Sequence, residues 1–383
     1  MKIGIITLPF DFNYGGILQA YALQKVLKDE GHDPVFLNKV YGVRCDLSRY
    51  CYRHLIGVLR QYFIIYPRLM YLKYIRRQKF IVVNGRRKEE RETKIVQQHT
   101  DAFIDAHMRK IDVRNFYSLK ERDFDALIVG SDQIWRPTSA IDIDSAYFSF
   151  ARNWHVRRIA YAVSFGVDRW VYSLRDTKTC RRLAGLFDAV SVREDSGVGL
   201  CREHLGVDAV HVLDPTLLLD RMDYEDLVAK SGVPQPDGDI LVYILDESPE
   251  KEALIGRISE KSNYRPFKVN SRAENMSAPL QERIQPPVEC WLAGFMQAKM
   301  VITDSFHACV FSIIFNKPFI AIGNRRRGLS RFQSLFKLFG LEDRLILDPE
   351  RYDAIPSSLP ENVKEILAGL KSRSRNYLIQ NLK

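Results

Sequence analysis

The sequence predicts an α/β protein built as two parallel-sheet domains that face a central cleft. Short β-branched runs alternate with amphipathic stretches, which is the pattern of βαβ units with largely parallel strands. The 383 residues, 46% of them apolar, can fill two or three cores at roughly 150 residues each. KSGVPQPDGD (230–239) is rich in Pro, Gly and charge and has no apolar period, so it reads as the linker between two such sets.

Residues 2–8 (KIGIITL) read as the first strand, followed by a glycine turn and a helix from Ile17 to Glu30 that Gly31 ends. A strand at 34–38 completes one βαβ unit. A helix near 95–108 precedes DFDALIVGSDQIW, where Ala126–Val129 is a buried strand running into a polar turn. RRIAYAVSFG (157–166), FDAVSVREDSG (187–197) and DAVHVLDPTLLL (208–219) repeat that design. Ligands of open α/β sheets gather at such carboxyl ends. Beyond the linker come ILVYIL (240–245), a helix at 249–262, a strand near 267–269, a helix then strand in PPVECWLAGFMQAKMVITDSFH, and a strand in KPFIAIG. RGLSRFQSLFKLFGLEDRL (327–345) gives a helix stopped by Gly340, and Val363, Ile366, Leu367 and Leu370 recur at helical spacing near the end. The boundaries are therefore 1–229, the linker 230–239, 240–357, and a terminal helix in 358–383, with a basic helical excursion at 44–110 inside the first domain.

The net charge of +10 is concentrated: residues 44–92 carry 13 Lys/Arg against four acids, a local +9. This window, interleaved with Tyr, Phe and Ile, suits an anionic membrane surface or another polyanion; the plain alternative is a solvated helical excursion packed on the body. Nucleic acid is not an expected partner. The six cysteines fall at neither C-x-x-C nor zinc-ligand spacing, so no disulfide or metal site is expected. No apolar run reaches the roughly 18 residues of a membrane span, and MKIGIITLPF lacks a cleavage signal, which points to a cytoplasmic protein with a peripheral contact at the inner face of the membrane as an option.

ITDSFHACVFSIIFNKPFIAIGN (302–324) carries the most chemistry. Thr303, Asp304 and Ser305 have N-cap side chains, and the helix after them has almost no polar face, so it is buried and its start opens inside the molecule. There the free N–H groups and helix dipole favour an anion, and His307 supplies a proton or a charge, unless it is a histidine satisfied within the core. In NYGGILQAYALQ, Asn13, Gly15 and Gly16 stand where backbone amides could approach a phosphate, or where the chain only turns tightly. Gln19 and Gln24 read as surface or packing residues. Arg193 and Glu194 follow a buried strand, as a clamp for a carboxylate or phosphate or as a structural pair. Ser131 and Asp132 cap whatever helix follows them, and Trp135 either floors a sugar ring or plugs the domain edge. G-x-S-x-G, H-E-x-x-H and paired carboxylates are absent, which weakens hydrolase and metal-dependent readings.

Seven blocks hold their order from residue 2 to about 345: NYGGILQAYALQ, ALIVGSDQIW, AYAVSFG, SVREDSG, LDPTLLL, WLAGFMQAKMVITDSFHACVFSIIFNKPFIAI and RGLSRFQSLFKLFGLEDRL. Together they resemble the polysaccharide pyruvyl transferase family. The resemblance implies two Rossmann-like domains in a GT-B-like arrangement, the first serving the acceptor and the second the donor. It implies transfer of a pyruvyl group from phosphoenolpyruvate, a co-substrate rather than a cofactor, to two hydroxyls of a hexose as a cyclic ketal with release of phosphate. Such enzymes serve bacterial capsule, exopolysaccharide and cell-wall polymer pathways, some of them on lipid-linked sugars. The family's donor-site histidine falls on His307 and its donor-site arginine on Arg193. Where some members carry Arg two residues before the histidine, this chain has Ser305, followed by Phe306. A basic residue that recurs downstream falls among Arg325, Arg326 and Arg327, with Arg327 favoured. Either Asp304 or Glu194 is expected to serve as the base, unless it only orients a neighbour, while Asn13, Gly15, Gly16, Ser131, Asp132 and Trp135 line the acceptor side or cleft. The rivals are a GT-B glycosyltransferase using a nucleotide-sugar and a noncatalytic adaptor that docks a polysaccharide assembly complex at the membrane through 44–92.

Overall fold

The computed structural model describes residues 1–40, 85–139, 141–273, 275–323 and 328–383, of which 85–90 only as backbone. Its first sheet has seven strands: β1 (Lys2–Ile6), β2 (Asp33–Lys39), β3 (Lys110–Val113), β4 (Ala126–Val129), β5 (Arg157–Val163), β6 (Ala189–Val192) and β7 (Val210–His211). The second has five: β8 (Ile240–Tyr243), β9 (Pro266–Phe267), β10 (Met300–Thr303), β11 (Phe319–Ile322) and β12 (Leu345–Ile346). Their orders are β3-β2-β1-β4-β5-β6-β7 and β12-β11-β10-β8-β9, and each pairing among these strands is parallel. This is the expected pair of Rossmann-like domains. Central strands covered on both faces need apolar residues at every position, as ALIV in β4 and FIAI in β11 supply. The order reverses between β1 and β4 and between β8 and β10, and ligands collect at such switch points.

The helix Tyr14–Asp29 leaves β1 and the helix Phe306–Ile314 leaves β10, both towards the middle of the molecule. One apolar core unites them with the helices Arg221–Ser231, Val288–Gln297 and Ser330–Phe339. Tyr224 meets Phe311 edge-on at 4.9 Å and Tyr14 meets Trp291 at 5.6 Å. Two further cores cover the outer faces of the sheets. The terminal helix Val363–Gln380 crosses back to the first domain, where Ser374 Oγ accepts from Leu213 N at 3.0 Å and Arg375 pairs with Glu30 at 2.7 Å.

Several local expectations are corrected. The first helix begins at Tyr14 rather than Ile17, because Asn13 Oδ1 accepts from Gly16 N at 3.2 Å and starts it early. No helix follows Ser131 and Asp132; Asp132 takes a left-handed φ of 64°, which aspartate tolerates better than most residues. The polar turn expected after β7 is present as a 3₁₀ turn, Pro215–Leu218, in which Asp214 Oδ1 captures the N–H and hydroxyl of Thr216. The helix Arg221–Ser231 runs into the predicted linker and stops at Gly232 with φ 67°, so the connection begins there rather than at 230.

Residues 44–84 of the basic window 44–92 lie outside the described residues, as do Arg325, Arg326 and Arg327. No helix among the described residues is long and apolar enough to cross a membrane, and no group of three or more His, Cys, Asp or Glu there could hold a metal ion.

Candidate functional site

At the end of β10, Thr303 Oγ1 donates to Tyr243 O at 2.6 Å and accepts from Ser305 N at 3.0 Å, which ties the turn to β8. Ser305 is the N-cap of the helix Phe306–Ile314, yet no side chain caps that helix. His307 sits in its first turn and is only 6% exposed. It meets the start of the other central helix: a Cβ on Gly15 would lie 2.1 Å from His307 Nδ1, so glycine is required by close approach. On the other side of the ring, Nε2 lies 3.7 Å from Asp214 Oδ2. The two switch points thus converge on one imidazole.

Asp214 is the hub of a buried charge cluster. Its Oδ2 accepts from Arg193 Nη1 at 2.7 Å and from Ser131 Oγ at 3.3 Å, while Arg193 Nη2 donates to Asp132 Oδ1 at 2.9 Å. The Arg193 guanidinium lies 4.7 Å from the Phe306 ring centre, and the Arg331 guanidinium 5.6 Å from it. Gln19 locks the loop after β4: its Oε1 accepts from Ser131 N at 3.1 Å, and its Nε2 donates to Thr7 Oγ1 at 3.0 Å. Burial pushes the Asp214 carboxyl up, but His307 and Arg193 outweigh it and hold the group well below the usual carboxylate range. The same contest, with Arg193 first among the opposing charges, leaves Asp132 lowered. Burial and then the neighbouring Arg193 charge bring Arg331 down to about 10.

The predicted residues divide. The structure gathers His307, Phe306, Arg193, Ser131, Asp132 and Gly15 around one point. Arg193 does not hold its fork open to a cleft, because both Nη atoms are engaged by carboxylates and the side chain is 1% exposed. Asp304 is not brought against the imidazole: its oxygens accept from Leu245 N (2.7 Å), Asp246 N (3.1 Å) and Lys251 Nζ (2.7 Å), so it braces the end of β8. Glu194 is fully buried, with Oε1 accepting from Ser164 Oγ at 2.8 Å and Phe165 N at 2.9 Å, and burial raises its carboxyl. Trp135 is a plug rather than a sugar floor, stacked on Tyr147 at 4.4 Å inside the outer core. Gly16 serves the Asn13 cap. Sequence reasoning missed Asp214 and Arg331. Arg331 left a legible signal, since it shares a helical face with Leu335 and Phe339, both buried.

Beside this cluster, a cavity of about 360 Å³ opens between the domains, with Phe12 and Asn13 on one wall and Tyr243, Asn270 and Ser305 on the other. The arrangement sets an imidazole, two residues along from Ser305 on the cavity wall, beside a carboxylate, with two guanidinium groups over the neighbouring Phe306.

Two solved structures similar to the chain are UDP-GlcNAc 2-epimerase from Neisseria meningitidis and a UDP-glucosyltransferase from Polygonum tinctorium. The first has 10% identity and TM-score 0.45, with 97% of this chain and 100% of that one covered. The second has 12% identity and TM-score 0.43, with 100% and 98% covered. Overlaps this loose bear on neither substrate nor chemistry. No curated protein matches the chain. The family model described as polysaccharide pyruvyl transferase matches residues 13–326, which takes in both central helices, the Arg193 turn and His307. The chain therefore belongs to the polysaccharide pyruvyl transferase family.

Proposed function

We propose that the protein transfers a pyruvyl group from phosphoenolpyruvate to two hydroxyls of one hexose, in a polysaccharide or its lipid-linked precursor, as a cyclic ketal. The observation that carries this reading is the position of His307, in the first turn of a buried helix, with Asp214 3.7 Å from Nε2 and the guanidinium groups of Arg193 and Arg331 over the neighbouring Phe306. His307 gives a proton to the methylene carbon of phosphoenolpyruvate, which makes C2 electrophilic. The first hydroxyl forms a bond to C2, the bond from C2 to the phosphate oxygen breaks, and the second hydroxyl closes the ketal. Of the two hydroxyl protons, one ends on the new methyl group and the other leaves with phosphate.

Each charged group has a distinct task. Asp214 orients the imidazole, and Arg331 and the uncapped start of the helix Phe306–Ile314 face the donor's carboxylate and phosphate. Arg193 acts through the carboxylates it binds, setting the cluster's potential rather than clamping the donor. Arg325 and Arg327 remain proposed donor contacts, and Glu194 the proposed base. Because Gly15 packs against the Nδ1 side of the imidazole, a donor that approaches there requires the two helix starts to part. Phosphate release from phosphoenolpyruvate that depends on added galactose-, mannose- or glucose-terminated lipid-linked acceptor, with the ketal seen by mass spectrometry, tests the reaction. A protein that consumes a nucleotide-sugar and leaves phosphoenolpyruvate intact is a glycosyltransferase instead.

A further inference from the structure

The His307 imidazole is bounded at both of its nitrogens, and both boundaries trace to one side chain that the proposed reaction leaves unused. Gln19 lies in the second turn of the helix Tyr14–Asp29 and is 1% exposed. Its carboxamide is fully engaged: Oε1 accepts from Ser131 N at 3.1 Å, while Nε2 donates to Gly16 O at 2.9 Å and to Thr7 Oγ1 at 3.0 Å. The sense of the amide is fixed by its partners, because Ser131 N can only donate and Gly16 O can only accept. These bonds span the switch point of the first sheet, since Thr7 follows β1, Ser131 comes just after β4, and Gly16 stands in the first turn of the helix that leaves β1.

On the Nε2 side of the ring, Gln19 holds Ser131 N. The Ser131 hydroxyl, shared between Ala162 O at 3.1 Å and Asp214 Oδ2 at 3.3 Å, then reaches the carboxylate that lies 3.7 Å from His307 Nε2. On the Nδ1 side, Gln19 fixes the carbonyl of Gly16, next to the Gly15 that packs on the ring. We propose that Gln19 is a positioning residue: it keeps the Ser131–Asp214 contact and the Gly15–Gly16 helix start in register, and so sets where the imidazole points. Asparagine is one methylene too short for this task, and an ionised glutamate has no donor for Gly16 O. The effect on turnover rests on the reaction proposed above; the placement of the ring rests on the hydrogen bonds alone.

Gln24 supplies a matched control. It is equally buried on the same helix and makes three bonds of the same kind, to Pro34 O, Arg109 O and Arg109 N, at the amino ends of β2 and β3 and so at the opposite edge of the sheet. Methionine keeps the length of a glutamine side chain and removes all of these bonds. The test is NMR of the full chain labelled with ¹⁵N-histidine, the His307 ring nitrogens being assigned by their loss in His307→Ala, together with steady-state kinetics of acceptor-dependent phosphate release. Gln19→Met and Gln24→Met should both melt below wild type. Gln19→Met shifts the His307 resonances and lowers kcat roughly tenfold to 100-fold with KM for phosphoenolpyruvate within about threefold of wild type, whereas Gln24→Met leaves the resonances and kcat in place. His307 resonances that stay put in Gln19→Met, or that move as far in Gln24→Met, overturn the inference, as does a loss confined to KM. If Gln19→Met does not fold, Thr7→Val, which removes one anchor of Nε2, is read in the same way, and unmoved resonances again overturn it. If the resonances shift as expected while wild type leaves phosphoenolpyruvate intact, the positioning role stands and the proposed reaction falls.

Discussion

A methyl group at position 15 would sit 2.1 Å from His307 Nδ1, so Gly15→Ala forces either the ring or the helix start to move. Overpacking of this kind costs about 1–3 kcal/mol, read as a lowered melting temperature, and pyruvyl transfer falls with it. His307→Ala leaves a folded protein whose transfer rate drops roughly 100-fold or more, measured as acceptor-dependent phosphate release. For Asp132 and Asp214 the folded carboxyls lie below their ordinary values, so their stabilisation is present above the unfolded value of about 4 and is lost as pH falls from there towards the folded values. Thermal stability should therefore drop below about pH 4, and an Asp132→Asn, Asp214→Asn double variant should have a lower melting temperature at neutral pH and a flatter acid limb. An acid limb identical to wild type would remove the cluster from this account.

At the scale of elements, Asp304 shows how a turn can look catalytic and be structural. Lys251, from the helix Pro249–Ser262, reaches its Oδ2 at 2.7 Å, and Lys251→Met leaves a buried carboxylate short of its cation, a loss of about 3–5 kcal/mol measurable by chemical denaturation. The sequence made β4 and the helix Pro249–Ser262 legible because an apolar run and a proline at the first helical position are local signals. It concealed what long-range partners decide. Asp304 has the side chain of a cap, but its oxygens go to residues more than 50 positions away. Asp132 stands where a helix start is expected and instead turns left-handed to meet Arg193, 61 residues on. Gln19 and Gln24 read as ordinary residues, and both are buried; Gln24 ties Pro34 O and the Arg109 backbone to its helix. His307 was legible as a candidate because a histidine opening an apolar helix is unusual, whereas Asp214, its partner across the domain junction, lay within a block that raised no chemical question.

For the whole molecule, one core shared by both domains and a terminal helix returning to the first domain limit how far the halves can separate. Leu378→Ala, at a fully buried position of that helix, should cost about 2–5 kcal/mol, whereas removing the partly exposed Arg375–Glu30 pair should cost under about 1 kcal/mol. Equal effects would mean that charge rather than packing holds the helix down. The donor reading and the adaptor reading also part at this scale, since an adaptor acting through residues 44–92 is indifferent to His307. The most direct measurement is the reaction of the full chain with phosphoenolpyruvate and lipid-linked hexose acceptors in deuterated water, the product read by mass spectrometry and NMR. The account predicts a ketal whose methyl group carries one solvent deuteron, formed by wild type and nearly abolished in His307→Ala. A ketal formed at wild-type rate by that variant, or phosphoenolpyruvate left intact with every acceptor, would contradict it.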